Sequence, residues 1–202
     1  MHTMYRVPTD RRRLSAGINI EGNMYLITAY FDDKTNKNIS RWIDGIAKCT
    51  GNQFMIEHNV PPHLTITAFD SRGADHIIPI MDRLQTKLNS IDVEFVSTGV
   101  FLPYVMYITP VLDKQLHEMA SIIHEEVVGD PGSAINGLRI SKFYHPDKWF
   151  PHTTIGKTLD EEQMRQAFAY MQKSFVPFSG KIVELGLART NPHEDIVRHD
   201  II

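Results

Sequence analysis

One short pattern occurs twice in this sequence and contains side chains that can do chemistry. It reads Pro-His-x-Thr-Ile and spans residues 62–66 and 151–155. With 10 His and 14 Thr in the chain, random order would give roughly 0.7 His-x-Thr triplets, and requiring the flanking Pro and an apolar residue lowers this to about 0.02. We therefore interpret the two copies as one functional device that the chain uses twice.

The geometry of a β-strand predicts which way these side chains point. Residues i and i+2 of a strand lie on the same face. We therefore expect His63 beside Thr65 and His152 beside Thr154, with the intervening residues on the opposite face. The polar rows would then be continued by Thr67, Gly156 and Thr158.

Two imidazoles and two hydroxyls can together act on a phosphodiester. One His can deprotonate an attacking water or hydroxyl while the other protonates the leaving oxygen. An unperturbed His pKa of about 6.5 allows one neutral and one cationic ring at neutral pH. Each Thr hydroxyl can donate a hydrogen bond to a nonbridging oxygen, where charge accumulates in the transition state. The predicted catalytic residues are His63, Thr65, His152 and Thr154, with the acid and base roles left open.

The duplicated pattern resembles the two His-x-Thr/Ser motifs of the 2H phosphoesterase superfamily, also called the 2'-5' RNA ligase-like proteins. The segment 146–156 is similar to the lead-in and second motif of the 2'-5' RNA ligase branch, and the similarity in element order runs from Met24 to Arg189. One departure is Lys157, where many relatives carry Arg. In a regular strand its side chain would point away from His152, so we expect little effect.

The resemblance implies an α+β fold that is duplicated and bilobal, with two βαβαβ-type halves and antiparallel sheets around a central cleft. It implies metal-independent hydrolysis, without a cofactor, of a 2',3'-cyclic phosphate or a 2'-5' phosphodiester. The substrate would be an RNA end, a nucleotide or a cyclic oligonucleotide. A second hypothesis is a non-catalytic module that binds phosphorylated RNA ends or cyclic nucleotide signals. Intact motifs in both halves favour the enzyme.

Hydrophobic periodicity predicts the elements that position the motifs. Strands are expected over 24–31, 63–69, 91–100, 104–109, 152–158 and 182–189. Helices are expected over about 38–49, 77–88, 112–129 and 161–175, with Gly51 ending the first and Asp160 with Gln163 forming a capping box before the last. Each motif therefore opens the second strand of a βαβαβ half.

This order defines the predicted domain organisation. Residues 1–22 lack a clean period and are expected to form an N-terminal arm, while 23–202 form one bilobal domain. Its pseudo-repeat halves would span about 24–100 and 101–190. The oligomeric state is not predicted.

Composition excludes several classes of protein. A formal net charge of -3 lacks the positive field expected of a protein that coats duplex nucleic acid. No segment approaches the roughly 20 apolar residues of a membrane span. The single Cys49 excludes an intrachain disulfide, and no secretory signal is evident, so we expect a cytoplasmic protein. The sequence also lacks the Gly-rich loop motifs that bind nucleoside triphosphates or dinucleotides, so no cofactor is predicted.

Other polar residues have less specific interpretations. His117 and His124 are seven apart on one predicted helix among glutamates, which favours a solvated face over a metal site. The tail around His193–Asp195 and Arg198–His199 follows Asn191-Pro192 and is expected to be a surface turn that could border the cleft.

The segment 130–149 is a candidate lid or base-recognition loop because it is long, punctuated by Gly and Pro, and directly precedes the second motif. Aromatic residues that could stack a base or pack in the core are Tyr144, Trp149 and Phe150. Cations that could hold additional phosphates are Arg72, Arg139 and Lys142. Their spacing alone does not assign them to a site.

Overall fold

The computed structural model describes residues 23–190 and 193–201, so the predicted arm at 1–22 lies outside the described residues. The strands are β1 (Asn23–Phe31), β2 (His63–Ser71), β3 (Ile91–Phe101), β4 (Val105–Pro110), β5 (Arg139–Ile140), β6 (Thr153–Gly156), β7 (Phe178–Arg189) and β8 (Glu194–Asp200). The α-helices are α1 (Asp33–Thr50), α2 (Phe54–Glu57), α3 (Ile78–Lys87), α4 (Lys114–Gly129), α5 (Pro131–Ile135) and α6 (Glu161–Ser174).

Capping residues set the ends of the long helices. Helix α1 begins five residues before the predicted residue 38, because the Asp32 carboxylate accepts a hydrogen bond from the Thr35 amide at 2.9 Å. It ends at Gly51, whose φ of 72° is the left-handed conformation predicted for this cap. The predicted capping box of Asp160 and Gln163 starts α6. These caps determine where α1 begins and ends and where α6 begins.

All pairs in the eight-stranded sheet are antiparallel, which confirms the predicted fold class. Strand β7 is the central element. Its residue Ile182 pairs with Phe31 of β1 on one edge and with Ile91 of β3 on the other. The second half of β7 pairs with β8 on the same edge as β3. Strand β3, the last of the predicted first half, therefore lies next to β4 and β6 of the second half. Strand β7, the last long strand of the second half, lies next to β1 and β2 of the first half.

The sheet curves enough to bring the two motifs together. In the hydrogen-bonded order β5-β2-β1-β7-β3-β4-β6, four strands separate β2 from β6. Residues of β2 and β6 nevertheless line one cavity. The right-handed twist that accumulates from strand to strand produces such a curve. The division into pseudo-repeat halves at 24–100 and 101–190 stays a prediction.

The two faces of the sheet differ in what covers them. We call the face that packs against the helices the core face, and the opposite face the cleft face. Tyr25, Ile27, Ala29 and Phe31 of β1 alternate onto the core face and belong to the buried hydrophobic cluster with residues of α1, α3, α4 and α6. Helix packing thus leaves the cleft face free to carry polar groups.

Two parts of the chain are more ordered than the sequence indicated. The predicted loop 130–149 contains α5, β5 and a 3-10 turn at Lys142–Tyr144. Strand β5 attaches this segment to the edge of β2 through the pairs Phe69–Ile140 and Asp70–Arg139. The turn predicted after residue 190 is shorter than expected: Thr190 and His193 are in turn conformation on either side of Asn191-Pro192, which lie outside the described residues, and from Glu194 the chain forms β8.

Candidate active site

A cavity of about 730 Å³ lies between the two motif strands. Three of the four predicted residues line it: His63, Thr65 and Thr154. His152 packs beside it, edge-on to Phe101, with 4.7 Å between ring centroids. Charge on His152 is one of the smaller causes that lower the pKa of His63, and Thr154, two residues after His152, lines the same cavity as His63. The structure thus brings all four residues into one region.

The first motif places His63 and Thr65 as strand alternation predicts. In the β1–β2 ladder His63 is opposite Tyr30 and Thr65 is opposite Thr28. Leu64 and the following Ile66 are buried on the other side. The Thr65 carbonyl accepts a hydrogen bond from the buried Trp149 indole at 2.9 Å. This bond attaches the segment before the second motif to the first motif.

A one-residue shift in strand pairing ends each polar row. Thr28 pairs with Thr65 but Ile27 pairs with Thr67, so Ile66 is an extra residue, as in a β-bulge. In β6, Tyr107 pairs with Thr154 and Met106 with Gly156, so Ile155 is extra in the same way. Beyond a bulge, the side chains that would have faced the cleft in a regular strand face the core instead. The fifth residue of both motifs is therefore a bulge residue.

The bulges correct three predictions about neighbouring residues. Thr67 does not continue the polar row, because it pairs with Ile27 of the core face and is 1% exposed. Strand β6 ends at Gly156, and Thr158 beyond it has a φ of 59°. Lys157 was expected to point away from the cleft, but it lines the cavity, with its Nζ 5.4 Å from the centroid of the Phe54 ring.

Both motif imidazoles make the same hydrogen bond to the backbone. His63 Nδ1 lies 2.8 Å from the Pro61 carbonyl oxygen, and His152 Nδ1 lies 2.9 Å from the Phe150 carbonyl oxygen. A carbonyl oxygen only accepts, so Nδ1 carries the proton in both rings. Nε2 of a neutral ring is then left with its lone pair. Each motif therefore presents Nε2 as the atom that can accept or deliver a proton.

Burial makes both rings poor cations in the free protein. It lowers the pKa of His63 from the ordinary 6.5 to about 4, opposed by the bond to Pro61 and reinforced by the charges of His193 and His152. Burial also lowers the pKa of His152, and the bond to Phe150 opposes it. The ordinary pKa values, from which one cationic ring was expected at neutral pH, therefore do not apply to either residue in the free protein.

A cluster of ionisable side chains beside His63 was missed by the sequence interpretation. The His193 ring stacks on the His63 ring with 5.0 Å between centroids and lines the cavity. His193 Nε2 lies 3.1 Å from the Tyr30 hydroxyl and 3.4 Å from Asp195 Oδ1. The Arg198 guanidinium lies 3.7 Å from the centroid of the Tyr30 ring. The polar composition of residues 193–199 was the sequence signal for this cluster, but it is equally typical of a surface turn.

A third register shift places this cluster on the cleft face. Ala188 pairs with Asp195 and Leu187 with Val197, which leaves Ile196 as the extra residue of β8. The shift brings Asp195 and Arg198 to the same face, where Arg198 donates to Asp195 Oδ2 at 2.6 and 2.9 Å. In a regular strand, residues three apart would face opposite sides.

Hydrogen bonding keeps Asp195 ionised despite its partial burial. Burial favours the neutral acid, but hydrogen bonds from His193, Tyr30 and Arg198 outweigh it and hold the pKa of Asp195 well below its usual range. Burial and the bond to Asp195, at 2.5 Å, raise the pKa of Tyr30, so its hydroxyl keeps its proton. The cluster therefore contains a fixed anion at neutral pH.

The remaining candidate residues divide between core, cavity and surface. Trp149 is a core residue, Tyr144 lines the cavity, and Phe150 is half exposed against His152 with 6.2 Å between ring centroids. Arg139 pairs with Asp70 at 3.5 Å, and Lys142 lies over the Phe143 ring. Arg72 follows the end of β2. Within the described cavity wall, Lys157 supplies a cation that these predictions did not include.

Residues 23–190 and 193–201 contain no group of three or more His, Cys, Asp or Glu side chains placed to hold a metal ion. His117 and His124 therefore do not belong to such a group in the described part of the chain. No helix in those ranges is long and apolar enough to cross a membrane.

Solved structures share this fold over nearly their whole length. E. coli LigT complexed with 3'-AMP matches with a TM-score of 0.57 at 13% identity, covering 90% of this chain and 99% of that chain. The apo form of E. coli LigT gives a TM-score of 0.54 at 14% identity, and its complex with ATP gives 0.52 at 11%, each with the same coverage. A sequence comparison with curated proteins found no match.

The family model of the 2'-5' RNA ligase superfamily matches residues 37–194, which include both motifs, most of the residues that line the cavity, and His193. This match covers more than half of the chain. The protein therefore belongs to the 2'-5' RNA ligase superfamily.

Proposed function

We propose that this protein is a metal-independent phosphodiesterase that hydrolyses a 2',3'-cyclic phosphate or a 2'-5' phosphodiester at RNA ends or in small nucleotides. His63 and His152 are the general acid and base, and Thr65 and Thr154 donate hydrogen bonds to the phosphoryl oxygens. The superfamily contains phosphodiesterases and RNA ligase-like enzymes, which is the class of activity that membership supports.

The observation that carries the proposal is the identical setting of the two imidazoles. Both Nδ1 atoms donate to the carbonyl oxygen two residues earlier, and both rings are followed on the same face by a Thr. Two such groups around one phosphorus supply an acid and a base without any change of tautomer. A structural pair of His residues would not need this repetition.

The proposed reaction balances with these groups alone. One neutral Nε2 removes a proton from water as the water oxygen forms a bond to phosphorus. The other imidazole, protonated, delivers its Nε2 proton to the 2' or 3' oxygen as the phosphorus–oxygen bond breaks. Because burial lowers both His pKa values, the substrate's negative charge is needed to stabilise that cation. Substrate binding thus prepares the acid.

The rest of the cavity suits a nucleoside attached to the phosphate. Apolar and aromatic side chains also line the cavity, among them Leu26, Phe54, Met55 and Tyr144. Aromatic faces stack bases with little regard to sequence. The fold shared with E. coli LigT, solved with 3'-AMP and with ATP, is consistent with ligands of nucleotide size.

Product analysis in EDTA tests the proposal. Wild type, His63→Ala and His152→Ala are incubated with 2',3'-cyclic nucleotides, 2'-5'-linked oligomers and cyclic dinucleotides. We expect wild type to convert one class and both variants to lose that activity. Full activity of either variant on the true substrate would refute the proposal.

The same experiment separates the enzyme from the binding module. His117→Ala is a matched control, because His117 is exposed on α4, outside both motifs and outside the residues that line the cavity. We expect this control to keep the chemical activity. Tight binding of a nucleotide that stays chemically unchanged overnight would refute the enzyme hypothesis and support the binding-module hypothesis.

A further inference from the structure

The cluster of Tyr30, His193, Asp195 and Arg198 is not needed for the two-histidine reaction, yet it reaches the cavity wall through His193. The His193 side chain is only 9% exposed and lies in contact with the cavity. The His193 ring is parallel to that of His63 within 28°. Tyr30 is also buried, at 2% exposed, whereas the Asp195 and Arg198 side chains are 28% and 37% exposed. The two buried rings therefore meet an ion pair that reaches the surface.

Hydrogen bonding fixes which nitrogen of His193 is occupied. The Asp195 carboxylate only accepts, so the single Tyr30 hydroxyl proton is donated to Asp195 Oδ1. The Tyr30 oxygen then accepts from His193 Nε2, 3.1 Å away. Nε2 of His193 is thus turned towards the anion, and Nδ1 has no hydrogen-bond partner among residues 23–190 and 193–201.

Two further residues hold this arrangement in place. Arg198 neutralises Asp195 from the other side and also lies 3.4 Å from Glu184. Gly186, opposite Arg198 in the β7–β8 ladder and opposite Thr28 in the β1–β7 ladder, has no side chain and leaves room for the Tyr30 ring. A Cβ there would collide with that ring. His193 is therefore held by a packed network that extends across three strands.

We propose that His193 is a phosphate-binding residue of this site: with the phosphate bound, its ring carries protons on both nitrogens, and Nδ1 donates a hydrogen bond to a nonbridging phosphate oxygen on the His63 side. Asp195, Tyr30 and Arg198 are positioning residues that orient its ring. This inference rests on the proposed function for the identity of the anion. Lys157, directly after β6, lines the cavity as well, so a phosphate held there also meets the Lys157 ammonium group.

Calorimetric titration with inorganic phosphate tests the role of His193 without any turnover. The full-length wild type is compared with His193→Gln, which removes the charge. We expect phosphate to bind about tenfold more weakly to His193→Gln, because one charge-assisted hydrogen bond is lost. Asp195→Asn, which keeps the shape of the side chain, is expected to weaken binding several-fold. If His193→Gln fails to fold, Asp195→Asn decides the question.

His199→Gln is the matched control. Like His193, His199 lies beside a carboxylate, with 3.1 Å between its Nε2 and Asp82 Oδ1. Unlike His193, it pairs with Leu185 on the core face and lies away from the cavity. We expect it to bind phosphate within twofold of wild type. Unchanged affinity of His193→Gln and Asp195→Asn would overturn the inference.

A His63→Ala background separates direct contact from packing. If His193 contacts the phosphate itself, His193→Gln still weakens binding about tenfold in that background. If it acts only by packing on His63, the effect disappears and the inference is wrong. Absence of turnover on every diester would refute the proposed function but would leave these affinities interpretable.

Discussion

His63 and His152 share a motif and a backbone hydrogen bond but differ in their surroundings. His63 stacks on His193 and lies near Tyr30, within a network that includes an anion and a cation. His152 packs among Phe101, Tyr107 and Phe150. The motif thus fixes the tautomer in both places, whereas the neighbouring strands decide the electrostatics. Duplicated motifs need not perform duplicated roles.

The largest predicted effect is on turnover and is common to both motifs. His63→Ala and His152→Ala each remove a general acid or base, so we expect kcat to fall by about 10² to 10⁴. Steady-state kinetics on the converted substrate measures this. A loss confined to one variant would mean that the other motif is not catalytic, and would refute the two-histidine reaction.

Gly186→Ala tests whether the surroundings of His63 depend on the Tyr30 network. The new Cβ would collide with the Tyr30 ring and lie 3.0 Å from Thr28 Oγ1. We expect the free energy of unfolding to fall by about 2 to 3 kcal/mol, since overpacking forces side chains and backbone to shift. Chemical denaturation measures the change. Gly73→Ala, which meets nothing within 4 Å, is the control and should be close to neutral.

The pH dependence of stability distinguishes His63 from an ordinary surface His. Its pKa is about 4 in the folded protein and 6.5 when unperturbed, so the unfolded chain binds the extra proton first as pH falls. Stability is therefore fully present above about pH 6.5 and decreases towards pH 4, by on the order of 2 kcal/mol from this residue. Denaturation of wild type and His63→Gln at pH 7 and pH 4.5 isolates the contribution. An equal loss in both proteins would contradict it.

The smallest effect concerns the third position of the pattern, Leu64 in one copy and Thr153 in the other. Both residues are fully buried, but the Thr153 hydroxyl has no hydrogen-bond partner among the described residues. Thr153→Val keeps the shape and removes the unsatisfied group, so we expect a gain of about 1 kcal/mol. Thermal unfolding measures it. A destabilised variant would show that the hydroxyl is satisfied in solution.

Local patterns were sufficient for much of the fold and for the motif residues. The capping residues Asp160 and Gly51 and the apolar periodicity of the long helices are short-range signals. The His-x-Thr alternation depends only on strand geometry up to the Thr. These features need no knowledge of distant parts of the chain.

Register shifts and strand order could not be predicted in this way. The bulges at Ile66, Ile155 and Ile196 arise from pairing with partner strands and decide the positions of Thr67, Lys157 and Asp195. Strand β8 is rich in charged residues and becomes ordered by pairing with β7. Side-chain direction after each bulge is thus a tertiary property.

The central claim is that both motif imidazoles act on one phosphate. NMR titration of ¹⁵N-histidine-labelled wild type with inorganic phosphate tests this most directly, with His63→Ala and His152→Ala used to assign the signals. We predict that the Nε2 signals of both residues shift together, with one dissociation constant and one equivalent of phosphate. A shift of only one ring, or two different dissociation constants, would contradict a shared site.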